Sequence, residues 1–419
     1  MELKPGYKQT EVGVIPERWD VIQFSDLVNF RNGVNAEKHA YGKGVPFINV
    51  LEVITHTHIR RSDIPGRVTL PKAVIDSYAV RRGDIVFNRT SETQEEVGLA
   101  SVYLDDETVV FGGFVIRGRP IDSSLEETYS GYALRSPAIR SQIIARGQGA
   151  IRANIGQADL GQVLVPRPPL PEQRAIAAAL SDVDALIGAL DQLIAKKRDI
   201  KQAAMQQLLT GKQRLPGFSG KWEVKRFADL ASARRDRIDP RKTGVQEFCI
   251  ELEHIEPETG RLLGSTSTGE QSSLKSVFLA GDVLFGKLRA YLRKCWLADR
   301  EGVCSTEIWA LIPNLRLVGS EFLFQLVKVD QFIEAASTAY GTHMPRSDWN
   351  VVKNYEVATP SLDEQIAIAA VLSDMDGEIA ALEGKRDKTR LLKQGMMQEL
   401  LTGRIRLPMP AEEEVAATP

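Results

Sequence analysis

The chain has 419 residues, more than one compact domain usually holds, and its 43% hydrophobic content suffices for more than one core. A formal net charge of −2 excludes a generally basic protein, so any nucleic-acid contact must use basic residues gathered on one surface. The three cysteines form no C-x-x-C pair, and no apolar run reaches the length of about 18 residues that a membrane span needs. We therefore expect a soluble intracellular protein in a reducing compartment.

The first 167 residues predict a mixed α/β globule. Short β-rich segments punctuated by glycine and proline indicate strands. They lie at residues 19–24, 45–50, 84–87, 101–104, 108–111 and 163–166. A helical pattern over 130–145 leads into a glycine-rich turn between Gly147 and Gly149.

Residues 168–214 predict a single long helix. Its apolar positions recur at alternating steps of four and three, which is the spacing of a coiled-coil seam. The seam residues are Ile176, Leu180, Val183, Ile187, Leu190 and Ile194. A Thr-Gly pair ends the pattern, and Gly211 suits the left-handed conformation that closes many helices.

The rest of the chain repeats this plan. Residues 215–359 predict a second globule, and Lys221-Trp222 matches Arg18-Trp19 at its start. Residues 360–408 repeat the helix without a gap, so that Gln365 aligns with Gln173. Its seam residues are Ile368, Leu372, Met375, Ile379 and Leu382. Residues 409–419 predict a flexible, solvated tail.

The charge pattern of the two helices predicts how they pair. The first half of each helix is mainly acidic and the second half mainly basic. An antiparallel pair sets acid against base along its length, whereas a parallel pair sets like charges side by side. We expect an α+β protein in which two similar globules are joined by an antiparallel coiled coil with a pseudo-twofold internal repeat. The alternative, that each helix packs separately on its own globule, stays open.

The sequence carries no enzyme signature. It has no phosphate-binding G-x-x-x-x-G-K-[ST] loop, no dinucleotide fingerprint and no amino-methyltransferase motif. His56 and His58 lack nearby partners for a metal site. Asp182 and Asp184, repeated in the second helix, do not face each other at i and i+2, which favours a solvated or partner-facing role. We predict no catalytic residue, no metal and no cofactor on this chain.

Basic side chains recur at comparable places in both globules. Such groups contact DNA phosphates and read base edges, with arginine on guanine and asparagine on adenine. The candidate DNA-binding residues are Asn88, Arg89, Thr90, Arg146, Arg152, Lys287, Arg289, Tyr291, Arg293, His343 and Arg346. For each of them, the simpler interpretation is a solvated surface side chain.

An ordered set of motifs resembles the specificity (S) subunit of type I restriction-modification enzymes. The set comprises Tyr7, Lys8, Thr10, Gly13, Ile15, Pro16 and Trp19, the Glu172-Gln173 helix entry, and the Leu-Leu-Thr-Gly exit followed by Arg214-Leu215-Pro216-Gly217-Phe218. Each motif is weak alone, but the duplicated order covers the whole chain. The second copy departs in having Asp363 in place of Pro171 and Arg386 in the seam.

The resemblance implies a non-catalytic DNA-recognition subunit in the cytoplasm of a bacterium or archaeon. Each globule would be a target recognition domain for one half of a bipartite DNA sequence. The helices would be conserved spacers that set the gap between the half-sites. Two modification (M) subunits with S-adenosylmethionine, and restriction (R) subunits with ATP and Mg²⁺, would assemble on this chain.

Two other functions account for part of the sequence. A protein–protein scaffold explains the coil and the neutral net charge, but not the basic segments in both globules. A subunit of a related enzyme that cuts beside a bipartite site explains the same features, and neighbouring methylase and motor genes would distinguish it from a type I system.

Overall fold

A computed structural model describes residues 4–149, 152–269, 271–338 and 345–408. The chain divides into two compact units, one of residues 1–189 with 386–419 and one of residues 190–385. Each unit contains one globule together with part of each long helix. The predicted spacer ranges, 168–214 and 360–408, enclose the long helices, but neither helix forms a unit of its own.

The first globule is built on a central sheet in which the segments Val28–Asn32, Val115–Pro120, Ile85–Asn88, Ala100–Tyr103 and His58–Ile59 lie side by side in that order. Its strands are β1 (Tyr7–Thr10), β2 (Gly13–Pro16), β3 (Asp20–Gln23), β4 (Val28–Asn32), β5 (Tyr41–Ile48), β6 (His58–Ile59), β7 (Arg67–Val68), β8 (Ile85–Asn88), β9 (Thr90–Ser91), β10 (Ala100–Tyr103), β11 (Val110–Phe111), β12 (Val115–Pro120), β13 (Ala153–Asn154) and β14 (Leu164–Arg167). Its helices are α1 (Val50–Thr55), α2 (Lys72–Ser77), α3 (Glu127–Ala133), α4 (Pro137–Arg146) and α5 (Gln157–Gly161). All four residues of β8 are buried, which makes it the middle of the core.

The long helix α6 (Leu170–Leu208) leads to the second globule, which has two four-stranded sheets. In one sheet the order is Ala231–Ala233, Ile308–Pro313, Val283–Gly286 and Cys295–Leu297, and in the other it is Arg237–Ile238, Lys275–Phe278, Gly302–Ser305 and Cys249–Ile250. The strands are β15 (Glu223–Arg226), β16 (Ala231–Ala233), β17 (Arg237–Ile238), β18 (Cys249–Ile250), β19 (Lys275–Phe278), β20 (Val283–Gly286), β21 (Cys295–Leu297), β22 (Gly302–Ser305), β23 (Ile308–Pro313) and β24 (Glu356–Thr359). The helices are α7 (Phe227–Leu230), α8 (Pro240–Thr243), α9 (Ser320–Leu326), α10 (Asp330–Ser337), α11 (Trp349–Val352) and the long α12 (Leu362–Leu400). Strand β20 is fully buried, as β8 is in the first globule.

The predicted helix over 130–145 is two helices, α3 and α4. Pro137 is the first residue of α4, and the residue before a proline avoids helical backbone angles, so Ser136 adopts an extended conformation and breaks the run. The second globule has the same break between α9 and α10, at Val329. Each break places a cationic residue, Arg135 or Lys328, in the turn between the two helices.

Within each unit the halves of the long helices run antiparallel, as the charge pattern predicts. In the first unit Lys393 donates to Asp184 at 2.6 Å. In the second unit Lys197 pairs with Glu378 at 2.7 Å, and Lys201 pairs with Asp376. The predicted seam residues Ile176, Leu180, Leu190, Ile194, Ile368, Leu372 and Ile379 are buried, and Val183, Ile187, Met375 and Leu382 are half-buried. The fold class inferred from the repeat is confirmed.

A buried glutamate joins each globule to the helices. Glu172, near the start of α6, accepts from Trp19 Nε1 and from Arg406, both at 3.0 Å. Arg406 follows the end of α12, so this junction links three distant parts of the chain. The second unit repeats it: Glu364 accepts from Trp222 Nε1 at 3.1 Å and from Arg214 at 2.6 Å.

The glutamine after each glutamate ties the helix start to its globule. Gln173 accepts from the Glu126 backbone N–H at 2.8 Å and donates to the Ser124 carbonyl at 2.9 Å. Gln365 makes the equivalent bonds to Gly319 and Leu317. These contacts explain why the Glu-Gln pair opens both helices.

The glycine that ends each helix packs against the tryptophan of the same junction. Gly211 and Gly403 have φ angles of 71° and 68°, as predicted for the helix exit. A Cβ at Gly403 would lie 2.5 Å from the Pro16 ring and 3.1 Å from Trp19. These glycines therefore serve both the backbone turn and the junction.

We expect Gly403→Ala to lower the free energy of unfolding by more than 1 kcal/mol, because it combines a left-handed backbone with a clash. Gly395→Ala is the matched control, since a Cβ there meets no atom within 4 Å. This control should stabilise the protein by about 1 kcal/mol through helix propensity alone. Urea denaturation of both variants measures the difference, and equal effects would contradict the packing argument.

Candidate nucleic-acid interface

In both globules, the residues directly after the central buried strand are held by backbone hydrogen bonds to a segment later in the chain. In the first, Arg89 and Thr90 follow β8, and the carbonyl of Arg89 accepts from the Ile155 N–H at 3.0 Å. Thr90 Oγ1 donates to Asn154 Oδ1 at 2.6 Å, and strands β9 and β13 pair at this point. The exit from β8 is therefore held in one conformation at the edge of the sheet.

The prediction for Asn88 is wrong because this side chain is inside the protein. Its exposed fraction is 0%, and its amide donates to the carbonyl of Glu96 at 3.0 Å. Asn88 is the last residue of β8, and its side chain holds the following loop rather than facing a ligand.

The other candidate cations of the first globule are accessible. Arg152 is exposed and lies 3.5 Å from Glu92, also exposed, which makes a weak surface ion pair. Arg89 and Arg146 are half-buried and donate to the carbonyls of Gly113 and Gln142, at 3.4 and 3.0 Å. Arg89, Thr90 and Arg152 thus belong to one neighbourhood, because β9 and β13 bring their segments together.

The second globule brings Lys287, Arg289 and Arg346 together. The Ser347 N–H donates to the carbonyl of Lys287 at 2.8 Å, and the Arg289 N–H donates to the carbonyl of Pro345 at 3.0 Å. Leu288 forms an antiparallel bridge with Arg346. The bond between Ser347 and Lys287 matches that between Ile155 and Arg89. In both globules, the first residue after the central buried strand is therefore a cation whose carbonyl is held by a later segment.

Charges of both signs surround Lys287. Burial lowers the pKa of Lys287 first, and the charges of Arg237 and Arg346 lower it further, while Glu307 raises it. Glu307 also accepts from Arg346 at 2.9 Å. Arg237 was not among the candidates, because its distance in sequence gave no sign that it lies near Lys287.

A strained turn presents Tyr291 beside this cluster. Arg289 and Arg293 have φ angles of 54° and 50° and flank a short 3₁₀ turn, Ala290–Leu292. A left-handed conformation costs a non-glycine residue of the order of 1 kcal/mol, and such residues gather at functional sites. The Tyr291 side chain is 55% exposed, and an exposed ring next to cations suits stacking or apolar contact with bases.

Arg293 points elsewhere, which corrects its assignment to the same surface. It donates to the carbonyl of Lys328 at 2.8 Å and pairs with Asp330 at 2.5 Å. Its guanidinium therefore anchors the turn between α9 and α10. The candidate His343 lies outside the described residues.

The repeated aspartates of the long helices have partners that the sequence interpretation left open. Asp184 accepts from Tyr132 Oη at 2.7 Å as well as from Lys393, and Asp376 pairs with Lys201.

His58 donates to the carbonyl of Thr128 at 2.8 Å, and burial lowers its pKa. Across the described ranges, no cluster of three or more histidine, cysteine or acidic residues is placed to hold a metal. Nor does any helix in these ranges combine the length and apolar character of a membrane span.

Residues 16–196 and 219–389 each match the family described as the type I restriction modification DNA specificity domain. The two matches cover most of the chain, which therefore belongs to this family. The resemblance drawn from the motifs is confirmed. Specificity subunits recognise DNA and are not catalytic, so this chain is a recognition component of a type I restriction-modification system and not its enzyme.

Two relatives named as specificity subunits of type I restriction enzymes match this chain, one over nearly its whole length and one over about two thirds of it. The putative type I restriction enzyme MjaX specificity subunit of Methanocaldococcus jannaschii is 25% identical over 421 residues, covering 96% of this chain and 97% of that protein. The type I restriction enzyme EcoDI specificity subunit of Escherichia coli is 23% identical over 308 residues, covering 65% and 68%.

Two solved structures share the fold. The S subunit from M. genitalium aligns with a TM-score of 0.54 at 14% identity, over 98% of this chain and 99% of that one. A chain from a structure on complex assembly and conformational transition of the type I R-M system aligns with a TM-score of 0.58 at 17% identity, over 93% and 99%. At these identities the likeness concerns the fold alone.

Proposed function

We propose that each globule reads a different half of a split DNA target through the segment that leaves its buried central strand. The observation that carries this proposal is that the two globules share the same backbone contacts after the central buried strand but have different side chains there. The first globule has Arg89, Thr90 and Asn154 at positions where the second has Lys287, Leu288 and Arg346. Two half-sites of unlike sequence require such a constant frame with variable contacts.

The side chains suit both tasks of DNA recognition. Lysine and arginine contact phosphates, and arginine also reads guanine. Thr90 and Asn154 offer hydroxyl and amide groups to base edges, while Tyr291 offers a ring to a thymine methyl or an unstacked base. One base pair gives about 1–3 kcal/mol of discrimination, so two separate sites multiply a selectivity that one cannot supply.

The partners in this proposal are the other subunits of the system. Two M subunits would dock on this chain and carry S-adenosylmethionine, while R subunits would carry ATP and Mg²⁺. The neighbouring structure that concerns assembly of the type I R-M system supports a role in a complex. The complex would act in the cytoplasm, and this chain would supply no cofactor site for the reaction.

Mapping methylated adenines tests the proposal directly. The full chain is expressed with the methylase encoded beside it, and modified positions in total DNA are read out. We expect a single motif of two short halves with a fixed gap. A contiguous motif would contradict the assignment of one half-site to each globule. Absence of methylation despite a stable complex would favour the protein scaffold instead.

A further inference from the structure

The second unit contains a cavity of about 680 Å³ between its globule and its parts of the long helices. Met205, Val329 and Ile379 supply apolar lining, and Lys201, Arg293 and Lys328 supply cations. This volume lies in the range of small-molecule sites, which are usually about 300–1,000 Å³.

Lys328 places a buried ammonium group at this cavity without a hydrogen-bond acceptor among the described residues. Its exposed fraction is 3%, and Nζ lies 4.0 Å from the centre of the Phe324 ring. The carboxylate of Asp376 is 3.6 Å away, beyond hydrogen-bond distance, and it is already paired with Lys201. Two ammonium groups therefore share one carboxylate. Burial lowers the pKa of Lys328 to about 8, because the charged ammonium group loses its hydration inside the protein.

The first globule shows how the same position is satisfied by the chain itself. Arg135 occupies the equivalent turn, since its N–H donates to Tyr132 as that of Lys328 donates to Gln325. The Arg135 guanidinium donates to the carbonyls of Val53, His56 and Ala100 at 2.6, 2.7 and 2.7 Å. A buried cation is thus neutralised by backbone dipoles in one globule, whereas its counterpart in the other faces a cavity.

The three arginines that line the cavity are each paired with a carboxylate. Glu383 accepts from Arg198 and Arg261, and Arg261 also pairs with Glu256 at 2.7 Å. Arg293 pairs with Asp330 at 2.5 Å. The lining carries five cationic and five acidic side chains, Glu258 included, and among the cations Lys328 and Lys201 share a single carboxylate, Asp376. A buried donor without a partner costs free energy until an acceptor is supplied.

We propose that this cavity binds a small phosphate-bearing anion, with Lys328 as its principal hydrogen-bond donor. Phosphate oxygens accept from several donors at once, so Lys201 and Arg293 on the same lining can share the ligand. The anion is either free phosphate or the phosphate group of an organic molecule whose body contacts Met205, Val329 and Ile379. The proposal is independent of DNA recognition.

The test is isothermal titration of the full chain, at fixed ionic strength, with inorganic phosphate and separately with adenosine monophosphate. We expect saturable binding that Lys328→Met weakens at least tenfold. Lys242→Met is the control, because this exposed lysine of α8 does not line the cavity. Binding of phosphate alone indicates a free-ion site, and binding of adenosine monophosphate as well indicates an organophosphate site.

Ala380→Trp provides a second test that removes no charge. Ala380 lines the cavity from α12, so a tryptophan there should fill the space and abolish binding of adenosine monophosphate. This variant decides the question if Lys328→Met fails to fold. Absence of saturable binding of either probe to the unmodified chain, or equal binding by Lys328→Met, would overturn the proposal.

Discussion

Replacing Glu172 by alanine is expected to lower the free energy of unfolding by about 3 kcal/mol, a large loss for one side chain. The carboxylate is buried and accepts from Trp19 and Arg406, so its removal leaves a buried indole N–H without its acceptor and takes away the carboxylate that the Arg406 guanidinium contacts. Because the three residues come from the first globule and both helix ends, the loss should loosen the whole first unit.

Urea denaturation followed by circular dichroism measures this loss, and hydrogen exchange localises it. Glu399→Ala is the matched control, because Glu399 lies on α12 in a more exposed ion pair with Arg404 at 3.5 Å. We expect the control to change the free energy of unfolding by less than about 0.5 kcal/mol. Glu172→Gln retains an acceptor for Trp19, so its loss in the free energy of unfolding should lie between those of Glu172→Ala and Glu399→Ala. Faster exchange in residues 190–385 and not in 1–189 would refute this assignment.

Reversing charge at Lys287 and Arg289 together is expected to weaken binding of the split DNA target about 100-fold at constant salt. Each cation is assigned about 1.4 kcal/mol, within the range of a direct phosphate or base contact. Both residues follow the buried strand β20, where contacts to Pro345 and Ser347 fix the backbone. The effect should therefore come from charge and not from unfolding.

Fluorescence anisotropy on a duplex carrying the methylated motif measures this affinity, with circular dichroism to verify the fold. Arg241→Glu combined with Lys242→Glu makes the same change of charge on α8 of the same globule. We expect this control to weaken binding less than tenfold, through long-range repulsion alone. Equal losses in both double variants would show that the cluster around Lys287 has no specific role. Raising the salt concentration should weaken binding less steeply in the Lys287 and Arg289 variant, because fewer phosphates are neutralised.

The long helices were predictable because their determinants are local and repeated. The burial of a seam residue such as Leu180 is predicted by the four-and-three spacing of the apolar residues around it. Gly211 predicts the helix end, because glycine readily adopts the left-handed conformation that closes many helices. The antiparallel pairing also followed from sequence, since acidic and basic halves admit one favourable arrangement. The predicted helix over 130–145 does not include the break before Pro137, although a proline disfavours helical backbone angles at the residue before it.

The surroundings of the candidate DNA-binding side chains were harder to predict, because the charge of a residue does not show which way its side chain points. Arg289 and Arg293 are four residues apart in one basic segment, yet Arg293 turns back to Asp330 while Arg289 lies beside Pro345. Asn88 has a suitable side chain for reading adenine, but the strand that carries it is buried.

The duplicated plan, the coiled coil and the family are all readable from the amino-acid sequence, because these rest on spacing, charge and motif order along the chain. Which polar groups meet becomes visible only in the folded chain. Trp19 and Arg406 reach the same carboxylate from opposite ends of the chain, and the cations of the two equivalent turns, Arg135 and Lys328, have different acceptors around them. Hydrogen bonding and burial depend on long-range folding, and no local pattern of residues encodes them.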